Sequence, residues 1–124
     1  MISEDLRIGN YYSYNGSNVT IAGFVHPFIH LEYEDGNTTA CNIEDTQLKP
    51  IPITREILAK NNYRLYTFEI HGYEFSLKDN KNGTFTPYID DSLCEKCFFS
   101  KEISYVHELQ NLLYAVGCED YLSI

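Results

Sequence analysis

The chain has no tryptophan, one methionine and nine basic residues against eighteen acidic ones, a formal net charge of −9. Phosphate contacts need lysine and arginine, so this balance argues against binding bare nucleic acid. It argues equally against an anionic membrane surface. It leaves two openings: plain solubility, or association with a basic surface, including the nucleic-acid groove of another protein. No stretch approaches the roughly 18 apolar residues of a membrane-spanning helix. No G-x-G-x-x-G, P-loop or G-x-S-x-G pattern occurs, so no cofactor is implied and nothing in the motifs calls for an enzyme. Residues 1–15 carry Glu4, Asp5 and Arg7 and no apolar run, so a leaderless cytoplasmic chain is expected. There Cys41, Cys94, Cys97 and Cys118 would be reduced thiols.

What is present is enough for a folded core. The chain has 124 residues, 44% of them apolar and 22% charged, which suits one domain or two small subdomains. Eleven tyrosines and seven phenylalanines suit half-buried sheet surfaces with wet hydroxyl edges.

The first half reads as β. Asn15-Gly16 is the preferred two-residue hairpin turn. It joins Asn10–Tyr14 to Asn18–Val25 and pairs Tyr12 with Val19 and Tyr11 with Thr20. His26-Pro27 interrupts, because proline cannot donate to a ladder. Phe28–Tyr33 alternates, with Ile29, Leu31 and Tyr33 on one face and Phe28, His30 and Glu32 on the other. Asp35-Gly36 returns the chain through Thr38–Ile43, and Glu44–Gln47 closes with a turn. Short strands at this spacing predict a small SH3-like β-barrel over residues 1–50.

Lys49-Pro50-Ile51-Pro52-Ile53 is an extended connector. Residues 51–124 are expected to form a second subdomain, compact with the first. It begins with a short helix capped by Thr54, with Glu56 in its first turn. A two-residue loop at His71-Gly72 then pairs Ile70 with Tyr73, Phe68 with Phe75 and Tyr66 with Leu77, all on one face. Glu69 opposite Glu74 requires a solvated reverse face. Thr84–Ile89 is a third strand, made an edge by Pro87. The fold class is therefore α+β, closing with a long helix over Ile103–Val116 capped by Gly117. Its Tyr105, Val106, Leu109, Leu112, Leu113 and Val116 share one face, predicted to pack on the three-stranded sheet. His107, Asn111 and Tyr114 lie opposite. They form a candidate contact stripe, although a solvated helix face is the simpler reading.

Other candidate sites are sparse. Cys94-x₂-Cys97 supplies two corners of a zinc tetrahedron and lacks two more; Cys118, or Cys41 with His30, could join only through tertiary folding. The pair follows no βαβ pattern, so redox chemistry is weaker still. His30 and Glu32 share a strand face but lack a third orienting group. The adjacent acids Glu44-Asp45 and Asp90-Asp91 lack calcium-loop spacing and remain candidates for contacting a basic partner.

Three segments carry a resemblance. Leu6-Arg7-Ile8-Gly9-Asn10-Tyr11, Lys49-Pro50-Ile51-Pro52-Ile53-Thr54-Arg55-Glu56-Ile57-Leu58 and Tyr105-Val106-His107-Glu108-Leu109-Gln110-Asn111-Leu112 resemble a family of small proteins from phages, prophages and mobile elements of Bacteroidota. The family's connector more often reads proline-leucine-threonine-glutamate-glutamate, from which Ile53 and Arg55 depart, and the Cys94–Cys97 loop lies outside its pattern. The family brings no assigned activity. The phage context implies a non-enzymatic binder, an anti-defence inhibitor such as an anti-CRISPR. Its partner would be a basic nucleic-acid-handling host protein, such as a type VI-B RNA-targeting effector. The alternatives are a housekeeping peptide- or protein-binding module of a mobile element and, less favoured, a metal-dependent or acid-base enzyme.

Overall fold

The computed structural model describes residues 7–61, 67–70, 73–90, 96–98, 102–115, 122 and 124. Strands β1 (Tyr11–Tyr14) and β2 (Ser17–Val25) form the first hairpin. Asn15 (φ 50) and Gly16 (φ 83) both occupy the left-handed region, which is why Asn-Gly suits this turn. The register pairs Tyr11 with Thr20 and Tyr12 with Val19, as predicted. Strand β3 (Phe28–Tyr33) follows, then β4 (Thr38–Asn42). Their turn is held by Tyr33 N–H donating to the Asn37 carbonyl at 2.8 Å and by the Asp35 carboxylate accepting from Asn37 N–H at 2.9 Å.

A short strand β5 (Leu48–Lys49) returns to β1, pairing Tyr14 with Leu48 and Ser13 with Lys49. The sheet order is β4-β3-β2-β1-β5, all antiparallel. Between Ile21 and Gly23 the β2–β3 register shifts. Such a bulge bends the strand, and the sheet curls into a half-barrel. Its inner face collects Tyr12, Val19, Ile21, Ile29, Leu31, Cys41 and Leu48, with Tyr14, Tyr33 and Ile43 at the margin. This is the alternation predicted for β3, with Ile29 and Leu31 inward and Phe28, His30 and Glu32 exposed.

Two contact units divide the chain: Met1–Pro52 with Tyr105–Asp120, and Ile53–Ser104 with Tyr121–Ile124. The second begins with α1 (Arg55–Lys60), where Thr54 Oγ1 accepts from Ile57 N–H at 3.2 Å and Leu58 is buried. Strands β6 (Thr67–Ile70), β7 (Tyr73–Asp79), β8 (Phe85–Asp90) and β9 (Lys96–Phe98) form an antiparallel sheet in chain order. Phe68 pairs with Phe75 and Ile70 with Tyr73, as predicted; Tyr66 lies outside the described residues.

This sheet has four strands rather than the three expected, and β8 is internal. Pro87 is nonetheless compatible with its place. Phe85 exchanges backbone hydrogen bonds with Ile103 at 2.7 and 2.8 Å, so the alternating backbone directs Phe85, Pro87 and Ile89 away from β7. The β8–β9 ladder covers Tyr88 to Asp90 and stops short of Pro87, whose missing N–H therefore costs no ladder bond. On β7, Phe75 and Leu77 are buried and Glu74 and Lys78 exposed, but Ser76, on the face with Glu74, is buried too. That face is solvated only in part.

Helix α2 (Val106–Ala115) opens with half of a capping box: Glu108 Oε1 accepts from Tyr105 N–H at 3.1 Å. Val106 N–H donates to the Ile51 carbonyl at 2.8 Å, and Pro52 bridges Tyr105. The expectation that this helix belongs to residues 51–124 and lies on their sheet is corrected: α2 groups with residues 1–52 and meets β1. Val106, Leu109 and Leu113 are buried as predicted, but so are His107 and Gln110, while Tyr105 is 38% exposed. The physical reason is a set of polar bonds that apolar periodicity does not record.

Candidate functional site

Those bonds join the first and last of the three resemblance segments. Tyr11 N–H donates to Gln110 Oε1 at 2.8 Å, and Gln110 Nε2 donates to the Gly9 carbonyl at 3.2 Å. Asn111 Oδ1 accepts from Asn10 Nδ2 at 2.8 Å and from Arg7 Nε at 3.2 Å. The Arg7 guanidinium lies 4.4 Å from the centroid of the Tyr114 ring, a cation–π geometry. The His107 ring stacks on Tyr12 with centroids 4.9 Å apart and faces Tyr105 at 5.9 Å.

The predicted contact stripe therefore faces β1 and the residues before it. His107 is buried, Asn111 is half-buried, and Tyr114 is 47% exposed. The arrangement docks a helix by satisfying buried polar groups. Gln110, which makes two of the bonds, was not singled out by the sequence. An amide beside the apolar face of a helix was the available signal.

The turn acids divide. Glu44 is exposed. Asp45 is engaged, its Oδ2 accepting from the Tyr14 hydroxyl at 3.1 Å and its Oδ1 from Gln47 N–H at 2.9 Å. The hydrogen bond to Asp45, then desolvation, hold the Tyr14 hydroxyl above its ordinary pKa. Burial, with the Asp45 charge, pushes the Cys41 thiol up, which makes it a poor nucleophile. Backbone pairing sets Asp90 opposite Glu74 and Lys96; its side chain and all of Asp91 lie outside the described residues.

So do Cys94 and Cys118, together with the Cys97 side chain. No group of three or more potential metal-ligating side chains occurs among the described residues. The expectation that Cys41 and His30 could join one metal site is corrected by register: Ile29 pairs with Cys41 and His30 with Ala40, so Cys41 points into the core and His30 out to solvent. Two side chains on opposite faces of one sheet cannot converge on one ion.

A different surface emerges on the first sheet. Two shallow depressions, of ≈ 310 and ≈ 330 Å³, share Asn18, Tyr33 and Glu34. The larger adds Tyr11, Thr20 and Glu32; the smaller adds Asp35. Register explains the grouping, since Tyr11, Thr20 and Glu32 form one cross-strand row over β1, β2 and β3. Residues 8–48 contain Glu32, Glu34, Asp35, Glu44 and Asp45 but no lysine or arginine. Lys49 lies on β5, at the opposite edge of the sheet from β4. The depressions thus bring Tyr11 and Tyr33 together with three acidic residues, and strands β1 to β4 carry no lysine or arginine. His30 does not line the larger depression with Glu32. The missed signal was the segregation of charge along residues 8–48. No protein-family model, curated protein or solved structure matches the chain.

Proposed function

We propose that the chain is a binding protein of phage or prophage origin that occupies the basic surface of a nucleic-acid-handling host protein, acting as an anti-defence inhibitor. Its first sheet is then an SH3-like barrel, a proposal supported by the meander β1 to β4 and the antiparallel return of β5 to β1. The observation that carries the function is the two depressions that share Glu34, one lined also by Glu32 and the other by Asp35, on a sheet whose strands β1 to β4 carry no lysine or arginine. Carboxylates held on a rigid sheet can stand in for nucleic-acid phosphates against lysine and arginine. Tyr11, in the same cross-strand row as Glu32, adds rigid apolar area beside them, the residue type that anchors protein interfaces. Like-signed charge also steers encounter with a basic groove, an effect that salt screens over roughly 8 Å at physiological ionic strength.

The target named by the phage context is a type VI-B RNA-targeting effector. The test is target-RNA cleavage by that effector with and without the protein, alongside direct titration of the complex at low and high salt. Inhibition that weakens with salt and is lost in the Glu32→Lys/Glu34→Lys double variant is the expected result. Absence of any complex removes this effector as the target. A complex indifferent to both charge reversals refutes the acidic surface as the interface.

A further inference from the structure

We propose that the outer edge of β4 is a strand-docking site, which takes an extended lysine- or arginine-bearing segment of the partner protein as an added strand of the first sheet. This docking mode rests on the binding function proposed above and specifies how the partner is held.

The two edges of the sheet differ. On one side β5 is two residues long, too short to template another strand. On the other, β4 is five residues, Thr38-Thr39-Ala40-Cys41-Asn42. Natural edges are guarded by lysine, proline, bulges or inward charges. This strand has no charge and no proline, and its pairing with β3 is unbroken from Glu32–Thr38 to Phe28–Asn42. Its adjacent threonines favour extended backbone.

The direction of each backbone group follows from the bonds that bracket the strand. Tyr33 N–H donates to the Asn37 carbonyl and Ile43 N–H to the Pro27 carbonyl, at 2.8 and 2.9 Å. Residues 37, 39, 41 and 43 therefore turn toward β3, and Thr38, Ala40 and Asn42 turn away. The Asn42 carbonyl is taken by Asp45 N–H at 2.9 Å. The edge thus offers the N–H and C=O of Thr38 and Ala40 and the N–H of Asn42, and among the described residues no strand lies beyond it.

Charge selects the occupant. Thr38, Ala40 and Asn42 are exposed on the outer face, beside Glu32 and His30 of β3. Glu34 and Asp35 lie just before the strand and Glu44 just after it, all exposed. Residues of an antiparallel partner strand set opposite Thr38 and Ala40 would point to that same face. Strands are spaced about 4.8 Å apart, so a lysine or arginine there reaches the Glu32 carboxylate across one intervening strand. Self-pairing of β4 is disfavoured, because it brings Glu32, Glu34, Asp35 and Glu44 of two copies together, each chain at −9.

The test uses a short blocked peptide alternating threonine and lysine, the same peptide N-methylated at its lysine amides, and a threonine–glutamate control. Amide hydrogen exchange on the full chain is expected to slow at Thr38, Ala40 and Asn42 with the threonine–lysine peptide. The N-methylated and glutamate peptides are expected to bind at least about tenfold more weakly, since backbone bonds or charge are lost. Ala40→Pro removes the central outward N–H without touching the β3 ladder and is expected to weaken binding by a similar factor. Ala40→Lys, which retains the N–H and places a cation on the edge, gives an independent variant should the proline perturb folding.

Equal binding of the N-methylated peptide, or of both Ala40 variants, overturns strand docking while leaving the acidic-surface function standing. Protection elsewhere than β4, or no binding of the threonine–lysine peptide, also overturns it. So does concentration-dependent dimerisation abolished by Ala40→Pro, which would assign the edge to a second copy. Loss of partner binding in Glu32→Lys/Glu34→Lys but not in either Ala40 variant separates the two proposals, refuting this one alone.

Discussion

Replacing Gln110 by methionine removes both polar bonds that tie α2 to the backbone at the start of β1 while keeping the side-chain volume nearly constant. Gln110 is 9% exposed, and its amide satisfies the Tyr11 N–H at 2.8 Å and the Gly9 carbonyl at 3.2 Å. A buried backbone group that loses its partner costs about 1–3 kcal/mol. Both bonds are part-buried, so the lower end applies, about 1 kcal/mol each and about 2 kcal/mol together. For a chain of this length that corresponds to a fall in melting temperature of about 8 °C. The assay is urea unfolding followed by circular dichroism, with amide hydrogen exchange read at Tyr11. Exchange at Tyr11 should accelerate selectively. A stability change within about 0.5 kcal/mol, the range of an ordinary surface substitution, or unaltered exchange at Tyr11, would refute the claim that a polar network holds the helix.

Two further outcomes follow from local geometry. Thr54→Ala removes the side-chain cap of α1, whose Oγ1 accepts from Ile57 N–H at 3.2 Å; it should cost about 1 kcal/mol by urea unfolding, with Thr54→Ser restoring most of it. Asp45→Asn removes the carboxylate that, chiefly through its hydrogen bond, raises the Tyr14 hydroxyl above its ordinary value of 10.0. Tyrosinate should then form at lower pH in absorbance titration. Because the folded-state value is raised, the contribution of Tyr14 to stability is complete below pH 10 and declines as pH rises through the folded value. An unchanged titration of Tyr14 would contradict the assigned cause.

The first hairpin was legible because its information is local. Asn15-Gly16 demands two positive φ angles, and the period-two burial of β3 is written in consecutive residues. The cap at Thr54 and the pairing of Phe68 with Phe75 are local in the same way. Strand β9 was not legible: Lys96–Phe98 is three residues long, too short for alternation to stand out, and its pairing with β8 depends on where that strand already lies. The bulge between Ile21 and Gly23 had one available signal, the isolated Gly23 inside a strand pattern, but the register shift itself depends on how β3 pairs. The acidic surface was half legible. Its composition is plain in residues 8–48, but the convergence of Tyr11, Thr20 and Glu32 requires the register of three strands.

The final helix divides the two kinds of information most clearly. Its existence and the inward side of Val106, Leu109 and Leu113 are properties of the sequence alone, since they follow from a helical period of apolar side chains; its start is not, because Ile103, expected inside the helix, bridges Phe85 and the helix begins at Val106. Which sheet it joins is not. Apolar faces are interchangeable to within their area, so burial alone does not choose between partners. Directional hydrogen bonds do. Gln110 and Asn111 match Gly9, Asn10, Tyr11 and Arg7 across about a hundred residues of chain, and only the folded geometry brings those donors and acceptors within reach.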